Sequence, residues 1–310
     1  MFNQYFGNYL LEKRIITPEQ LRIVLEEQKT IKVKLGVLAI DAGYMNAAQV
    51  NSIHMLQAAK DKKFGELAIE EGYLNADKLD ELLNAQKKSN VLLGQALIEK
   101  GYFDFEKYEE VLLQYNKDSG FNPDEIKALK ENDVEKIVQI FLKTVNNADS
   151  HLHHDYFELF IRNLVRFIDD EIRMEEAREI DTYPFSYFIT QRMEGEQNLF
   201  TGFAGSESTM VKFGAAFMTS FASIYNESLN GMDAIVKDAL GEFMNCQNGL
   251  FLSNMSHQGV DLELVPSEIK ENGLLKPVKN IYVVPCYLSF GKIDFIFSDE
   301  FPIYLERNAK

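Results

Sequence analysis

The sequence predicts a multidomain chain in which an all-α domain of helical-hairpin repeats precedes an α+β domain with an antiparallel sheet and long helices. The first observation behind this prediction is a 29-residue period that runs through the first 115 residues. The second is a segment rich in turn-forming residues at 116–125, which predicts the end of the repeats. The third is the change from residue 156 onward to apolar helical segments and short strand-like runs, the order expected of an α+β fold.

Composition limits the classes of function that are open to the chain. Its 310 residues suffice for about two domains, and a hydrophobic content of 46% argues against disorder. A net charge of −16 disfavours binding to nucleic-acid polymers and to anionic membrane surfaces. No apolar run approaches the roughly 20 residues that span a bilayer, and MFNQYFGNYLLEKR lacks the features of a signal peptide. Cys246 and Cys286 lack CxxC spacing and lie in apolar patterns typical of buried free thiols, so we expect a cytoplasmic protein.

The 29-residue period comes from four copies of one unit. Each copy predicts a short helix, a turn, a polar residue that caps the next helix, and a second helix. The copies are YFGNYLLEKRIITPEQLRIVLEEQ (5–28), KLGVLAIDAGYMNAAQVNSIHMLQ (34–57), KFGELAIEEGYLNADKLDELLNAQ (63–86) and LLGQALIEKGYFDFEKYEEVLLQY (92–115). The turn residues are Arg14, Gly43, Gly72 and Gly101, and the caps are Thr17, Asn46, Asn75 and Asp104. Because one helical hairpin cannot bury its own apolar face, we expect the copies to pack on one another.

These tandem units, with a basic residue before LG or FG, a glycine at the tenth position and a final Gln, resemble the amino-terminal domain of type II secretion and pilus-assembly ATPases. The resemblance implies that an intact tandem binds cyclic di-GMP through the basic residue, the backbone near the first glycine and the final Gln. The second and third copies fit best, which predicts as ligand residues Lys34, Leu35, Gly36, Gly43, Gln57, Lys63, Phe64, Gly65, Gly72 and Gln86. Lys replaces the usual Arg, which removes the planar fork that suits guanine and phosphate. An all-helical docking or sensory module that binds no nucleotide stays open as the alternative.

The segment between the two domains is predicted to be a helical linker. Apolar residues at three- and four-residue spacing predict helix over 124–148, and NNADSHLHHD at 146–155 is predicted to be an exposed turn. Four side chains of this turn have metal-binding chemistry: His151, His153, His154 and Asp155. Their spacing matches no standard zinc site, so we expect no metal. The predicted division of the chain is therefore 1–118, 119–154 and 155–310.

The second domain is predicted to contain helices and antiparallel hairpins. Residues 156–173 form a strongly apolar helical pattern. The stretch 198–218 is predicted to contain two strands joined by a turn at 205–208 and followed by a helix. Three further strands are predicted at 261–269, 280–291 and 292–298, and the last two form a hairpin with Gly291 in its turn.

One predicted helix of this domain has an acid, a second acid and an amide on a single stripe. In DALGEFMN, residues 238–245, Asp238, Glu242 and Asn245 have i, i+4, i+7 spacing and fall within roughly 60° of one another. The other side of the helix is apolar, with Val236, Ala239, Leu240, Phe243, Cys246 and Leu250. Spacing alone is also typical of any solvated helix face.

The order of these elements resembles the CheC/CheX/FliY family of chemotaxis phosphatases, and CheX in particular. The resemblance is carried by the helix motif [D/S]-x3-E-x2-N, a proline about twenty residues later, and a closing strand pair of the form vvP…fG. Here the motif residues are Asp238, Glu242, Asn245 and Pro266. The sequence Cys-Gln-Asn-Gly at 246–249 departs from the Met-Ile-Ala-Gly that is usual in the family. Glu158 and Asn163 are spaced x4 rather than x2, which predicts one active centre, as in CheX.

The resemblance implies a CheX-like fold and hydrolysis of the phospho-aspartate of a CheY-like response regulator. It assigns catalytic roles to Asn245, which would hold the attacking water, and to Glu242, which would pair with the active-site lysine of the receiver. Asp238 and Pro266 would have supporting roles. The phosphatase would need no cofactor of its own, since the receiver supplies Mg²⁺.

Two alternatives to this interpretation stay open. A CheX-like domain could serve as a non-catalytic dimerisation or receiver-binding adaptor in two-component or chemotaxis signalling. The repeats could act as a sensory or docking module for the phosphatase, with cyclic di-GMP as effector. Exposed strands such as the one predicted at 280–291 also lead us to expect, by analogy, a homodimer through a sheet edge.

Overall fold

The computed structural model describes residues 1–27, 33–60, 62–88, 93–145, 150–195, 198–221 and 231–306. These residues form two compact units, Phe2–Ile126 and Lys127–Lys310, the second together with Met1. The first unit is helical, and the second combines helices with a large antiparallel sheet, as the sequence predicts. Within the described ranges, no helix is long and apolar enough to cross a membrane.

The helical unit contains a pair of helices from each of the four copies. The first helices are α1 (Phe2–Glu12), α3 (Leu35–Asp41), α5 (Phe64–Glu70) and α7 (Leu93–Glu99). The second helices are α2 (Pro18–Glu27), α4 (Ala47–Ala59), α6 (Ala76–Lys88) and α8 (Phe105–Asp118), and α9 (Pro123–Glu131) follows. The helical hairpins predicted from the repeats are thereby confirmed.

The turns and caps of the repeats have the predicted chemistry. Gly43, Gly72 and Gly101 have φ of 68°, 76° and 70°, in the left-handed region that glycine adopts without strain. Arg14 takes the same conformation in the first copy, with φ of 56°. Each polar residue caps the following helix by accepting the backbone N–H three residues ahead, at Thr17, Asn46, Asn75 and Asp104.

The first glycine of each copy lies where the two helices of a hairpin come closest. A Cβ atom added at Gly36 would lie 2.8 Å from Val50, and one added at Gly65 would lie 2.6 Å from Leu79. The matching positions in the other copies face the side chain fourteen residues ahead in the same way: Gly7 with Leu21, and Gly94 with Tyr108. The glycine of the LG pattern therefore has a packing role in every copy.

The copies pack in two pairs rather than in simple chain order. The second and third copies pair reciprocally, since α3 contacts α6 while α4 contacts α5. The first and fourth copies meet through α2 and α7 and through rings of α1 and α8, where Phe6 and Tyr115 are 5.4 Å apart. Contacts between α4 and α8 join the two pairs. The predicted packing of copies on one another is confirmed. Which copies pair with each other was not predicted from the sequence.

The second unit builds an antiparallel sheet with helices. Its helices are α10 (Val134–Phe141), α11 (Ser150–Phe167), α12 (Glu207–Phe221) and α13 (Ala234–His257). Its described strands are β1 (Arg173–Met174), β2 (Arg178–Ile180), β3 (Tyr183–Gly195), β4 (Leu199–Gly205), β5 (Leu262–Leu264), β6 (Glu268–Lys276), β7 (Ile281–Leu288), β8 (Gly291–Ser298) and β9 (Ile303–Glu306). The strand order is β1-β7-β8-β4-β3-β6-β9, with β2 also paired to β7 and β5 also paired to β3.

Two cores bury the two faces of this sheet. Helices α11, α12 and α13 pack on one another and on the sheet through aromatic rings, among them Phe160 of α11 with Phe295 of β8 at 4.5 Å and Phe213 of α12 with Phe203 of β4 at 4.8 Å. The other face carries a separate cluster of buried residues: Phe185, Phe188, Phe200, Ala204, Leu275, Ile281, Val283 and Ile296. The sheet is therefore a rigid platform for α13.

The three further predicted strands are confirmed. The range 261–269 corresponds to β5 and the start of β6, 280–291 corresponds to β7, and 292–298 corresponds to β8. Gly291 pairs with Leu288 at the closed end of the β7–β8 hairpin, as predicted. The prediction of two strands in 198–218 was wrong in its second half. Only β4 is a strand, and α12 begins at Glu207 because the Ser206 hydroxyl accepts the N–H of Thr209 as a helix cap.

The predicted exposed turn at 146–155 was also wrong over its described part. Residues 146–149 lie outside the described residues, but Ser150 begins α11, so His151, His153, His154 and Asp155 are helical. His153 is buried, and its Nε2 lies 2.9 Å from Asp299 Oδ1 while its ring packs on Phe297. The apolar core beneath α11 draws this segment into the helix.

Candidate functional site on helix α13

Helix α13 is a long helix held in place at its first turn and along one side. The Asp233 side chain caps it by accepting the N–H of Val236 at 2.9 Å. Apolar residues at helical spacing bury its inner face: Val236, Ala239, Leu240, Phe243, Met244, Phe251 and Met255. The inner face packs on α12 and on strands β3, β5 and β6. The predicted apolar face is confirmed except at Leu250, which is exposed, and at Cys246, which is half-buried.

The structure brings the predicted stripe residues together on the outer face of α13. Asp238, Glu242 and Asn245 are all exposed. In the described part of the chain, neither carboxylate of the stripe has a cation within ion-pair distance. The stripe therefore presents two available carboxylates followed by a neutral amide.

Asn245 is fixed from below by a residue of the sheet. Its Oδ1 accepts a hydrogen bond from Gln191 Nε2 at 3.1 Å. Gln191 belongs to β3, where it is buried beneath α13. The same Nε2 also donates to the backbone carbonyl of Val265 at 2.9 Å.

Pro266 lies in a bulge next to this contact. Strands β5 and β6 both pair with β3, with Leu264 opposite Met193 and Glu268 opposite Thr190. Two residues of β3 therefore face three residues at 265–267, which is the pattern of a β-bulge. Proline has no N–H to contribute to the ladder, so it is tolerated at such a position. At the bulge, the Val265 carbonyl is available to accept the hydrogen bond from the Gln191 side chain.

A chain of buried hydrogen bonds continues inward from Gln191. Its Oε1 accepts from Asn248 Nδ2 at 2.8 Å, and Asn248 Oδ1 in turn accepts from the hydroxyl of Tyr156. Burial raises the pKa of Tyr156, so this hydroxyl keeps its proton and donates. A second buried pair lies alongside, in which Asn163 Nδ2 donates to Gln247 Oε1 at 2.7 Å.

Sequence reasoning missed this network, although a signal existed. Gln247 and Asn248 are two consecutive amides on the buried side of α13, at two of the three positions that differ from the Met-Ile-Ala-Gly pattern. Gln191 interrupts an otherwise apolar run on the same face of β3 as Ile189 and Met193. Buried amides of this kind are rare unless their hydrogen bonds are satisfied.

The Glu158–Asn163 pair on α11 is unlike the stripe. Glu158 is paired with Arg162 one helical turn later. Asn163 is buried and bonded to Gln247, so its amide does not reach the surface.

Cys246 lies next to Asn245 and is a free thiol, as is Cys286. Burial raises the pKa of the Cys246 thiol, Arg166 of α11 opposes the shift, and Glu242 adds to it. Burial also raises the pKa of Cys286 well above its ordinary value. Both thiols are therefore protonated at neutral pH and are poor nucleophiles.

In the helical unit, the predicted ligand residues of the second and third copies have structural partners. The backbone N–H of Lys34 donates to Gln95, and its Nζ lies 3.3 Å from Glu99. Gln86 Nε2 donates to the carbonyl of Val33, and Gln57 Nε2 donates to the carbonyl of Lys62 at 3.4 Å.

The two Gln contacts are related by the repeat. Positions 57 and 86 differ by one period of 29 residues, as do positions 33 and 62. Each copy therefore places its final Gln on the backbone just before the basic residue of the other copy. The remaining predicted residues are the buried packing positions Gly36, Phe64 and Gly65, the half-buried Leu35, the exposed Lys63, and the turn positions Gly43 and Gly72.

The fold and the stripe place the second unit in a class of α+β domains. In this class, a long helix lies over an antiparallel sheet and presents a carboxylate–amide face. Neither family models nor curated proteins match the chain. Among solved structures, it is similar to chemotaxis protein CheX from Desulfovibrio desulfuricans, at 11% identity and a TM-score of 0.41, over 48% of this chain and 99% of that chain.

Two further solved structures show the same level of similarity. Chemotaxis protein CheX from Vibrio vulnificus has 14% identity and a TM-score of 0.40, over 47% of this chain and 97% of that chain. The CheX–CheY–BeF3–Mg complex from Borrelia burgdorferi has 14% identity and a TM-score of 0.36, over 49% of this chain and 96% of that chain. Structures of the CheX, CheC-like and FliY kinds thus match about half of the chain.

Proposed function

We propose that this chain hydrolyses the phospho-aspartate of a CheY-like receiver domain, and that Asn245 and Glu242 carry the activity. The observation that carries the proposal is the exposed stripe of α13, where an amide held from below stands one turn from a carboxylate that has no cation partner among the described residues. The motif in which these residues occur resembles that of the CheX-like phosphatases.

The chemistry asks little of the phosphatase beyond positioning. A phospho-aspartate is a reactive acyl phosphate, and the receiver brings the Mg²⁺ that neutralises the phosphoryl oxygens. What remains is to hold a water in line with the phosphorus. An amide suits this task because its oxygen accepts from the water and its NH₂ donates, without placing a negative charge against the phosphoryl group.

Glu242 would set the depth and angle of the amide by pairing with the active-site lysine of the receiver. Its carboxylate is exposed and has no cation partner among the described residues, so it is free to form a charge-assisted bond. Asp238, a further turn toward the start of α13, would add a supporting contact. Pro266 would support the site through the bulge that places the Val265 carbonyl.

The proposal is tested by the decay of a phosphorylated CheY-like receiver with and without the full chain. We expect Asn245→Ala and Glu242→Ala each to lower the acceleration by about 10²-fold or more, as when a transition-state positioning group is lost. Asn254→Ala is the matched control, because Asn254 is an exposed asparagine on the same helix outside the stripe. Full activity in either stripe variant would reject its assigned role.

The alternative is an adaptor that binds receivers without turnover. In that case, the wild-type chain would bind an activated receiver while leaving its decay rate unchanged. A homodimer through a sheet edge stays a prediction under both proposals.

A second candidate function concerns the helical unit. We propose that it binds one cyclic di-GMP at the second and third copies. The reciprocal contacts of Gln57 and Gln86 give these copies a twofold relation, which suits a ligand made of two identical halves. The Lys34–Glu99 pair is partly exposed, so it is worth at most about 1 kcal/mol and a phosphate can replace the carboxylate.

Calorimetry on the full chain tests this candidate. We expect heat on titration with cyclic di-GMP, and at least tenfold weaker binding in Lys34→Ala, since a phosphate contact of this kind contributes about 1.4 kcal/mol or more. Lys100→Ala in the fourth copy, which lacks the basic residue of the pattern, is the control. An absence of heat at high micromolar ligand would leave a docking or sensory module as the role of the repeats.

A further inference from the structure

Gln191 occupies a position where an apolar side chain would be expected. It lies mid-strand in β3, and its neighbours on the same face are Ile189 and Met193, which are buried. A buried amide costs free energy unless each of its polar atoms has a partner. All the partners are present: two acceptors for Nε2 and one donor for Oε1.

The carbonyl of Val265 determines which way the Gln191 amide faces. A backbone carbonyl can only accept, so the atom 2.9 Å from it must be Nε2 rather than Oε1. The second hydrogen of Nε2 then points to Asn245, which must present its own acceptor, Oδ1. It follows that Asn245 Nδ2 is turned away from Gln191.

The inner part of the network supports the same orientation. Gln191 Oε1 requires a donor from Asn248, so Asn248 Oδ1 faces the Tyr156 hydroxyl, which is a donor. The donors thus run in one direction from Tyr156 through Asn248 and Gln191 to Asn245. None of these amides can turn over without placing two donors or two acceptors against each other.

We infer that Gln191 is a positioning residue for the proposed reaction: it holds the Asn245 amide in one orientation, with Nδ2 free to donate and one lone pair of Oδ1 free to accept. The inference rests on the proposed function. Without Gln191, the amide of an exposed asparagine would sample several orientations, only some of which can hold a water in line.

The test compares the turnover of a phosphorylated receiver by the full-length wild type and by variants. We expect Gln191→Leu to lower kcat by about 10- to 100-fold, because a misplaced positioning group costs rate, and to leave KM within about twofold, because the docking face is unchanged. Should Gln191→Leu fail to fold, Gln191→Met keeps the length of the side chain while removing the donor to Asn245, and the same loss of kcat is expected.

Asn163→Leu is the matched control, since it removes a buried amide bonded to the same helix that has no direct hydrogen bond to Gln191 or Asn245 and reaches them only through Gln247 and Tyr156. It should lower the melting temperature to a similar extent while leaving kcat unchanged. A double-mutant cycle adds a second readout: in an Asn245→Ala background, Gln191→Leu should cause no further loss of kcat.

The outcomes separate the inference from the proposed function. If the wild type does not accelerate receiver decay, both are overturned. If the wild type is active but Gln191→Leu and Gln191→Met keep kcat, or lose no more than Asn163→Leu, or add their loss to that of Asn245→Ala, only the inference is overturned.

Discussion

Within the described part of the chain, Glu242 has no cation partner, whereas many other acids have a neighbouring cation. Glu158 pairs with Arg162. Glu271 pairs with Lys237, which lies on the same helix as Glu242. Among the described residues, Glu242 has no such partner, although the chain carries 32 Lys and Arg. A carboxylate without an internal cation gives up no ion pair when an ammonium group of another protein approaches it, although it gives up part of its hydration.

Arg14 allows a direct test of the repeat turns. Its φ of 56° is strained for any residue with a Cβ, whereas the equivalent Gly43 has φ of 68° and nothing within 4 Å of an added Cβ. We expect Arg14→Gly to raise the free energy of unfolding by about 0.5–1 kcal/mol and Gly43→Ala to lower it by about 1 kcal/mol. Denaturant titration of the full chain, followed by helical circular dichroism, measures both changes. Equal effects of the same sign would contradict the turn assignment.

The exposure of the stripe could be predicted from spacing, but the support beneath Asn245 could not. Helical periodicity places Asp238, Glu242 and Asn245 on one side because only local geometry is involved. Gln191 lies 54 residues before Asn245, and nothing in a single sequence links the two positions. An amide in a strand is equally compatible with a solvated edge, so burial had to come from the structure.

Among the helices and strands, α12 shows where local pattern is ambiguous. After four polar residues at 206–209, the stretch 210–218 is largely apolar, and short apolar runs fit strand and helix alike. The Ser206–Thr209 cap and the burial of Met210, Phe213 and Phe217 at helical spacing decide for a helix. Strand β4 instead pairs with β3, which precedes it in the chain.

The repeats show the same division between local and distant information. The 29-residue period predicts every hairpin, turn and cap, because each depends on residues close in sequence. It does not predict that the fourth copy packs on the first and that the second pairs with the third. The side chains at the contact of the first and fourth copies differ in part from their equivalents in the other copies, as at Tyr115, whose ring is 5.4 Å from that of Phe6.

At the level of the molecule, the two units of this acidic chain present different functional side chains. The second unit exposes two carboxylates and an amide on α13, and in the proposed function the receiver would contribute the cations. The helical unit presents basic residues of the second and third copies, where an anionic ligand could bind. A regulatory link between the units would require two states of the chain with different ligand affinities.

The most direct measurement for the central claim is the decay of a phosphorylated CheY-like receiver with saturating wild type and with saturating Asn245→Asp. The substitution keeps the shape of the side chain but places a negative charge against the phosphoryl group and removes the donor. We predict that the wild type accelerates decay. We predict that Asn245→Asp still binds the receiver but leaves it to dephosphorylate at its intrinsic rate. Acceleration by Asn245→Asp equal to that of the wild type would contradict the role given to the amide.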